Sequence, residues 1–98
     1  MTRWLVTRHP GALVWLRQQG VEATALAHLD PARISPGDEI YGTLPLHLAA
    51  EVSVRGARFF YLAIDVPAEL RGQELDAALM SRLGARLQEY RVLPAEAR

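Results

Sequence analysis

The stretch Trp4-Leu5-Val6-Thr7-Arg8-His9-Pro10-Gly11 decides how the chain folds. Its apolar run ends at Val6, a polar loop follows, and Ala12-Leu13-Val14-Trp15-Leu16 opens a helix-like pattern. That grammar predicts a buried strand, a tight loop and a helix start. Pro10 suits the first helical turn, where its missing N–H costs nothing. In open α/β sheets, ligands sit outside the carboxyl ends of the strands, beside helix N-termini. At that place the chain sets a hydroxyl, a guanidinium and an imidazole in succession: Thr7, Arg8 and His9. Backbone N–H groups at a helix start, together with Arg, suit an anion.

Outward from this loop the same grammar recurs. The first strand covers residues 3–6 and the first helix residues 10–19, closed by Gly20. A second strand is expected over 24–28. Asp30-Pro31 begins one capped helical turn, and Ser35-Pro36-Gly37-Asp38 is a turn cluster. Residues 39–41 form a short strand of open direction, because residues 30–38 are few for a parallel crossover. Gly42-Thr43-Leu44-Pro45 then repeats strand, polar turn, proline and helix, with a helical face at Leu44, Leu48, Ala49 and Val52 that Gly56 ends. Residues 58–64 make the strongest strand signal, apolar enough to predict burial on both faces. After a polar loop, Leu75, Leu79, Leu83 and Leu87 recur every fourth residue and predict a helix over 74–88. Gly84 inside it would cost ~1 kcal/mol relative to Ala, which points to close packing there. A final strand is expected over 90–93 and a frayed tail over 94–98.

This order predicts an α/β fold: one Rossmann-like domain over residues 1–98, with a mostly parallel sheet of about five strands and three helices. Right-handed crossovers would bring the loops after strands one, three and four to one edge. That edge would carry Thr7, Arg8, His9, Thr43, Asp65 and Arg71.

Composition narrows the chemistry. A domain of this size buries only about two-thirds of its unfolded surface. It has little room for a deep enclosed pocket, so a site of any size calls for a second subunit. The 11 basic and 11 acidic residues cancel, which argues against a general nucleic-acid coat protein. A small phosphorylated ligand remains compatible, because the local field matters more than the total. Every basic residue is Arg, which favours planar bidentate contacts. The absence of cysteine excludes disulfides, thiolate catalysis and cysteine-based zinc sites. No signal peptide and no apolar run of membrane-spanning length is present, so a cytoplasmic location is expected. His9, His28 and His47 form no ligand pair at helical spacing, and neither a dinucleotide fingerprint nor a P-loop occurs. No metal and no cofactor is therefore expected. Ser35, Ser53 and Ser81 lie in no nucleophile elbow.

Each candidate has a plainer role beside the functional one. Arg8 either binds phosphate or pairs with a surface carboxylate. His9 either moves a proton, as the one side chain that ordinarily titrates near neutrality, or caps a turn. Thr43 either meets an anion or caps the second helix. His47, in the first turn of that helix, either reaches the site or sits on the surface. Asp65 either touches a ribose hydroxyl or forms an Asx turn, and Arg71 is either a clamp or a solvated loop charge.

Taken together, Val6-Thr7-Arg8-His9-Pro10-Gly11, His28-Leu29-Asp30, Gly42-Thr43-Leu44-Pro45, Ala49-Ala50-Glu51, Arg55-Gly56-Ala57-Arg58 and the run from Asp65 to Gly72 resemble the small type III CRISPR accessory family Csx-sixteen. The resemblance covers nearly the whole chain. It implies a CARF-like fold and a ring nuclease that cuts cyclic oligoadenylate, chiefly cyclic tetra-adenylate, and so ends second-messenger signalling. It also implies a homodimer with the ring at the interface. Carried onto matching positions, it marks Thr7, Arg8, His9, Thr43, Asp65 and Arg71. Their own chemistry then gives catalysis to Arg8 and His9, and ligand binding to Thr7, Gly11, Thr43, Asp65 and Arg71. Cleavage would proceed without metal, by attack of a ribose 2′-hydroxyl to give a 2′,3′-cyclic phosphate. Two rivals stand beside this reading: a non-catalytic sponge or sensor for the same ring, and a nucleotide-processing protein unrelated to CRISPR.

Overall fold

In the computed structural model, which describes residues 1–95, β1 (Arg3–Val6), β2 (Thr24–Leu26), β3 (Glu39–Gly42), β4 (Arg58–Ala63) and β5 (Arg86–Tyr90) form one sheet. The strand order is β2-β1-β3-β4-β5. The first four strands are mutually parallel, and β5 lies antiparallel on β4. Three helices complete the fold: α1 (Pro10–Gln18), α2 (Leu46–Val54) and α3 (Ala77–Arg82). Among the described residues no helix is long and apolar enough to cross a membrane.

Strand alternation sorts the core into two layers. Leu5, Tyr41 and Leu62 point to the side where Ala12, Trp15 and Leu16 of α1 meet Met80 of α3. Their neighbours Val6, Ile40 and Phe59 point to the opposite side, against Ala49 and Val52 of α2. A one-residue slip of any central strand would exchange these two sets.

A ladder of charges reinforces that register on the amino-terminal half of the sheet. Glu39 on β3 accepts from Arg3 Nε on β1 at 2.8 Å and from the hydroxyl of Tyr41 at 2.7 Å. Arg58 on β4 lies 3.7 Å from the same carboxylate and donates to Glu89 on β5 at 2.8 and 3.0 Å. Burial, and next the hydrogen bond to Glu39, push the Tyr41 phenol up to about 12.

The open direction of the third strand resolves as parallel. Residues 27–38 carry the chain from β2 past β1 to β3, using a single 3₁₀ turn at Pro31–Arg33. Asp30 caps that turn by accepting from Ala32 N at 3.0 Å. The buried Asp38, 3% exposed, ties down the end of the crossover by accepting from Thr2 N at 2.9 Å and Ser35 N at 3.0 Å.

Four expectations need correction. The last helix does not run over residues 74–88. Asp76 caps α3 by accepting from Leu79 N at 2.7 Å, so Leu75 is a buried residue ahead of the helix. Gly84, at φ +78°, stops the chain after one and a half turns or so, and Leu87 falls in β5. Close packing does not explain Gly84 either, since a Cβ there would meet open space; the backbone conformation does. The final strand is accordingly Arg86–Tyr90 rather than 90–93. Burial of the strongest strand is incomplete, because Tyr61 remains exposed beside edge strand β5. Of the tail expected over 94–98, residues 96–98 lie outside the described residues.

Candidate functional site

The first polar loop is shaped by its own backbone. Thr7 Oγ1 accepts from His9 N at 3.0 Å, and Thr7 N donates to the Leu26 carbonyl at 3.1 Å, fastening the loop to the end of β2. His9 then occupies the N-cap position of α1 with Pro10 as the first helical residue, but its side chain caps nothing. The second loop is built alike: Pro45 holds the N-cap position of α2, which again lacks a side-chain cap. Thr43 therefore does not cap that helix.

Neither α1 nor α2 has an acidic residue in its first turn. Their positive ends are left for water or an anion. The contrast is with α3 and the turn at Pro31–Arg33, whose starts are each closed by an aspartate.

A cavity of about 370 Å³ opens between these loops at the carboxyl ends of β1, β2 and β3. Thr7, Arg8 and His9 come to it from β1, His28 from the loop after β2, and Thr43 from the loop after β3. Val6, Leu29, Leu44 and Leu48 supply an apolar floor. Among the described residues no carboxylate lines it. Between β1 and β3 the chain direction of successive connections reverses, so the cavity stands at the topological switch point of the sheet. Among the described residues Arg8 makes no ion pair, so the surface-carboxylate role does not occupy it.

The remaining sequence candidates lie elsewhere. Gly11 packs against the backbone before α3, where any Cβ would collide with the Leu75 carbonyl oxygen. Asp65 is exposed and faces Arg86 Nη1 at 3.4 Å. Arg71 is exposed just after a second 3₁₀ turn at Ala68–Leu70. None of the three lines the cavity, and His47 is exposed outside it. The sequence places His28 at no site: it enters only in the metal-ligand set that spacing rejects and inside a family motif. The available signal was topological. A helical crossover makes β2 parallel to β1, so the end of β2 must share the edge that carries Arg8.

A metal has little to hold it. Among the described residues no group of three metal-ligating side chains occurs, and the cavity itself offers two imidazoles without a carboxylate. Its chemistry suits an anion: one guanidinium, two imidazoles, two hydroxyls and two open helix starts beside an apolar floor.

The family model described as "Putative CRISPR-associated protein (Cas_VVA1548)" matches residues 4–93. No curated protein and no solved structure matches the chain.

Proposed function

The chain belongs to this family of putative CRISPR-associated proteins, and on that premise we propose that it is a metal-independent ring nuclease. Its substrate on this reading is cyclic oligoadenylate, chiefly cyclic tetra-adenylate, and its role is to end type III second-messenger signalling. The observation that carries the reading is the cavity at the switch point. It gathers Arg8, His9 and Thr43 at two helix starts without a side-chain cap, in a wall to which the described residues bring no negative charge. The strand order and the place of the cavity support the Rossmann-like, CARF-like kinship that the sequence motifs suggest.

The chemistry follows from that arrangement. Arg8 and the first-turn N–H groups hold a phosphate and stabilise the charge that builds on it during reaction. The Thr7 hydroxyl accepts from the loop backbone, and its proton stays available to a phosphate oxygen. The apolar floor receives an adenine face. With the nucleotide so held, its ribose 2′-hydroxyl lies in line with the adjacent phosphorus, and positioning supplies much of the barrier reduction. His9 exchanges the proton.

A cavity of about 370 Å³ holds roughly one nucleotide of the ring. A twofold dimer presents the same patch twice and encloses what one copy cannot. Leu46, 74% exposed, Tyr61 and Tyr90 form an apolar face that meets the cavity rim at Leu44. Such a face suits burial against a second copy.

The test is incubation with cyclic tetra-adenylate in EDTA, followed by chromatography. Linear products ending in 2′,3′-cyclic phosphate are expected. An unchanged ring that nonetheless binds saturably would make the protein a sponge or sensor. Products that appear only on adding back a divalent ion would overturn the metal-free mechanism.

A further inference from the structure

We propose that His28 is the second imidazole of this anion site, paired with His9 across one phosphate. The pairing rests on the phosphodiester reading above but uses a residue that reading does not need.

The two histidines come from neighbouring strands. Val6 and Leu26 are register partners in the parallel β1–β2 pair. His9 lies three residues beyond Val6 and His28 two beyond Leu26. Adjacent strands run about 4.8 Å apart, so the two loops stand side by side over one cavity, and both histidines line it. His28 is exposed, and among the described residues its side chain makes no hydrogen bond. It is thus not a core histidine satisfied by the fold.

The wall also leaves few other groups for proton exchange. Arg8 stays protonated, threonine hydroxyls do not ionise, and the described residues bring no carboxylate to it. Both proton transfers of a phosphodiester transesterification therefore fall to imidazoles. In an in-line displacement the attacking 2′-oxygen and the leaving 5′-oxygen lie on opposite sides of phosphorus. One imidazole cannot reach both at once, whereas two from adjacent strands can. As the 2′-O–P bond forms, one imidazole takes the 2′-hydroxyl proton. As the P–O5′ bond breaks, the other, entering as imidazolium, gives its proton to the 5′-oxygen. The products are a 2′,3′-cyclic phosphate and a 5′-hydroxyl, and the two histidines have exchanged protonation states with no net gain or loss.

The molecule carries its own control, because its third histidine, His47, is exposed outside the cavity. Imidazole carbon-bound proton signals are followed by NMR while inorganic phosphate is titrated in. The His9 and His28 signals should move together on one saturating curve while His47 stays still. In single-turnover cleavage of cyclic tetra-adenylate, His28→Ala should slow the reaction by roughly 10². The bell-shaped pH profile should also lose one limb. A His28 signal that stays still while His9 moves would overturn the pairing, whether or not the ring is cut. So would a His28→Ala variant that keeps both limbs and the wild-type rate. If both imidazoles answer to phosphate and the ring remains whole, the pairing stands and the ring-nuclease reading falls.

Discussion

Gly42 lies directly across from Val6 in the β1–β3 register, so close that a Cβ on it would collide with the Val6 carbonyl oxygen. Its φ of +123° is in the region that favours glycine. These two residues end the strands that flank the switch point, and the chain leaves them as Thr7 and Thr43. The contact therefore sets how near the two cavity loops come.

Gly42→Ala should accordingly damage stability and binding together. The backbone strain alone is worth about 1–3 kcal/mol, and the collision would push β3 away from β1. Thermal unfolding should show a lower midpoint, and phosphate titration a weaker site. A variant that melts and binds like the wild type would mean that the loops do not depend on this contact.

Arg8 and His9 are neighbours to which the proposed mechanism gives different duties. Phosphate is anionic before and during reaction, so Arg8→Ala should weaken ring binding as well as slow the single-turnover step. As the proposed proton carrier His9 would act mainly in the transition state, so His9→Ala should keep affinity within a few-fold and cut the rate by roughly 10² or more. Circular dichroism of both variants separates these effects from a misfolded loop. Cleavage by His9→Ala at the wild-type rate would remove His9 from the chemistry.

The proposed dimer should break at its apolar face. Light scattering should give twice the chain mass for the wild type and the chain mass for Leu46→Glu. Losing one buried leucine costs about 1.5–3 kcal/mol, and a twofold dimer loses two, so it weakens roughly a hundredfold or more. Ring cleavage should fall with it. A wild type that is monomeric with and without ligand would rule the shared cleft out.

Alkaline pH should unfasten the charge ladder. Burial, followed by the Glu39 hydrogen bond, raises the Tyr41 phenol to about 12. For a raised folded value, the linked stability is fully present below the unfolded value of about 10 and is lost as pH climbs through the folded one. Unfolding midpoints should therefore fall between about pH 10 and 12. Tyrosinate absorbance should show a late-rising component that is absent from Tyr41→Phe. If the variant loses the same stability over the same range, Tyr41 is not its source.

Short-range rules suffice for much of this molecule. An apolar run, a polar loop and Pro10 specify β1 and the start of α1, and the same grammar specifies the loop at Thr43; each depends on a few adjacent residues. The sequence alone thus determined that Arg8, His9 and Thr43 stand at strand ends before helices. Tertiary structure decided which loops share a cavity. Strand order and register, which join residues far apart in the chain, brought in His28 and left Gly11, Asp65 and Arg71 outside. The leucines at every fourth position misled for a related reason. Leu75 is buried ahead of the Asp76 cap and Leu87 sits in a strand after Gly84, so equal spacing spanned three kinds of backbone. Periodicity records which residues are buried, while capping bonds and a positive φ decide where a helix begins and stops.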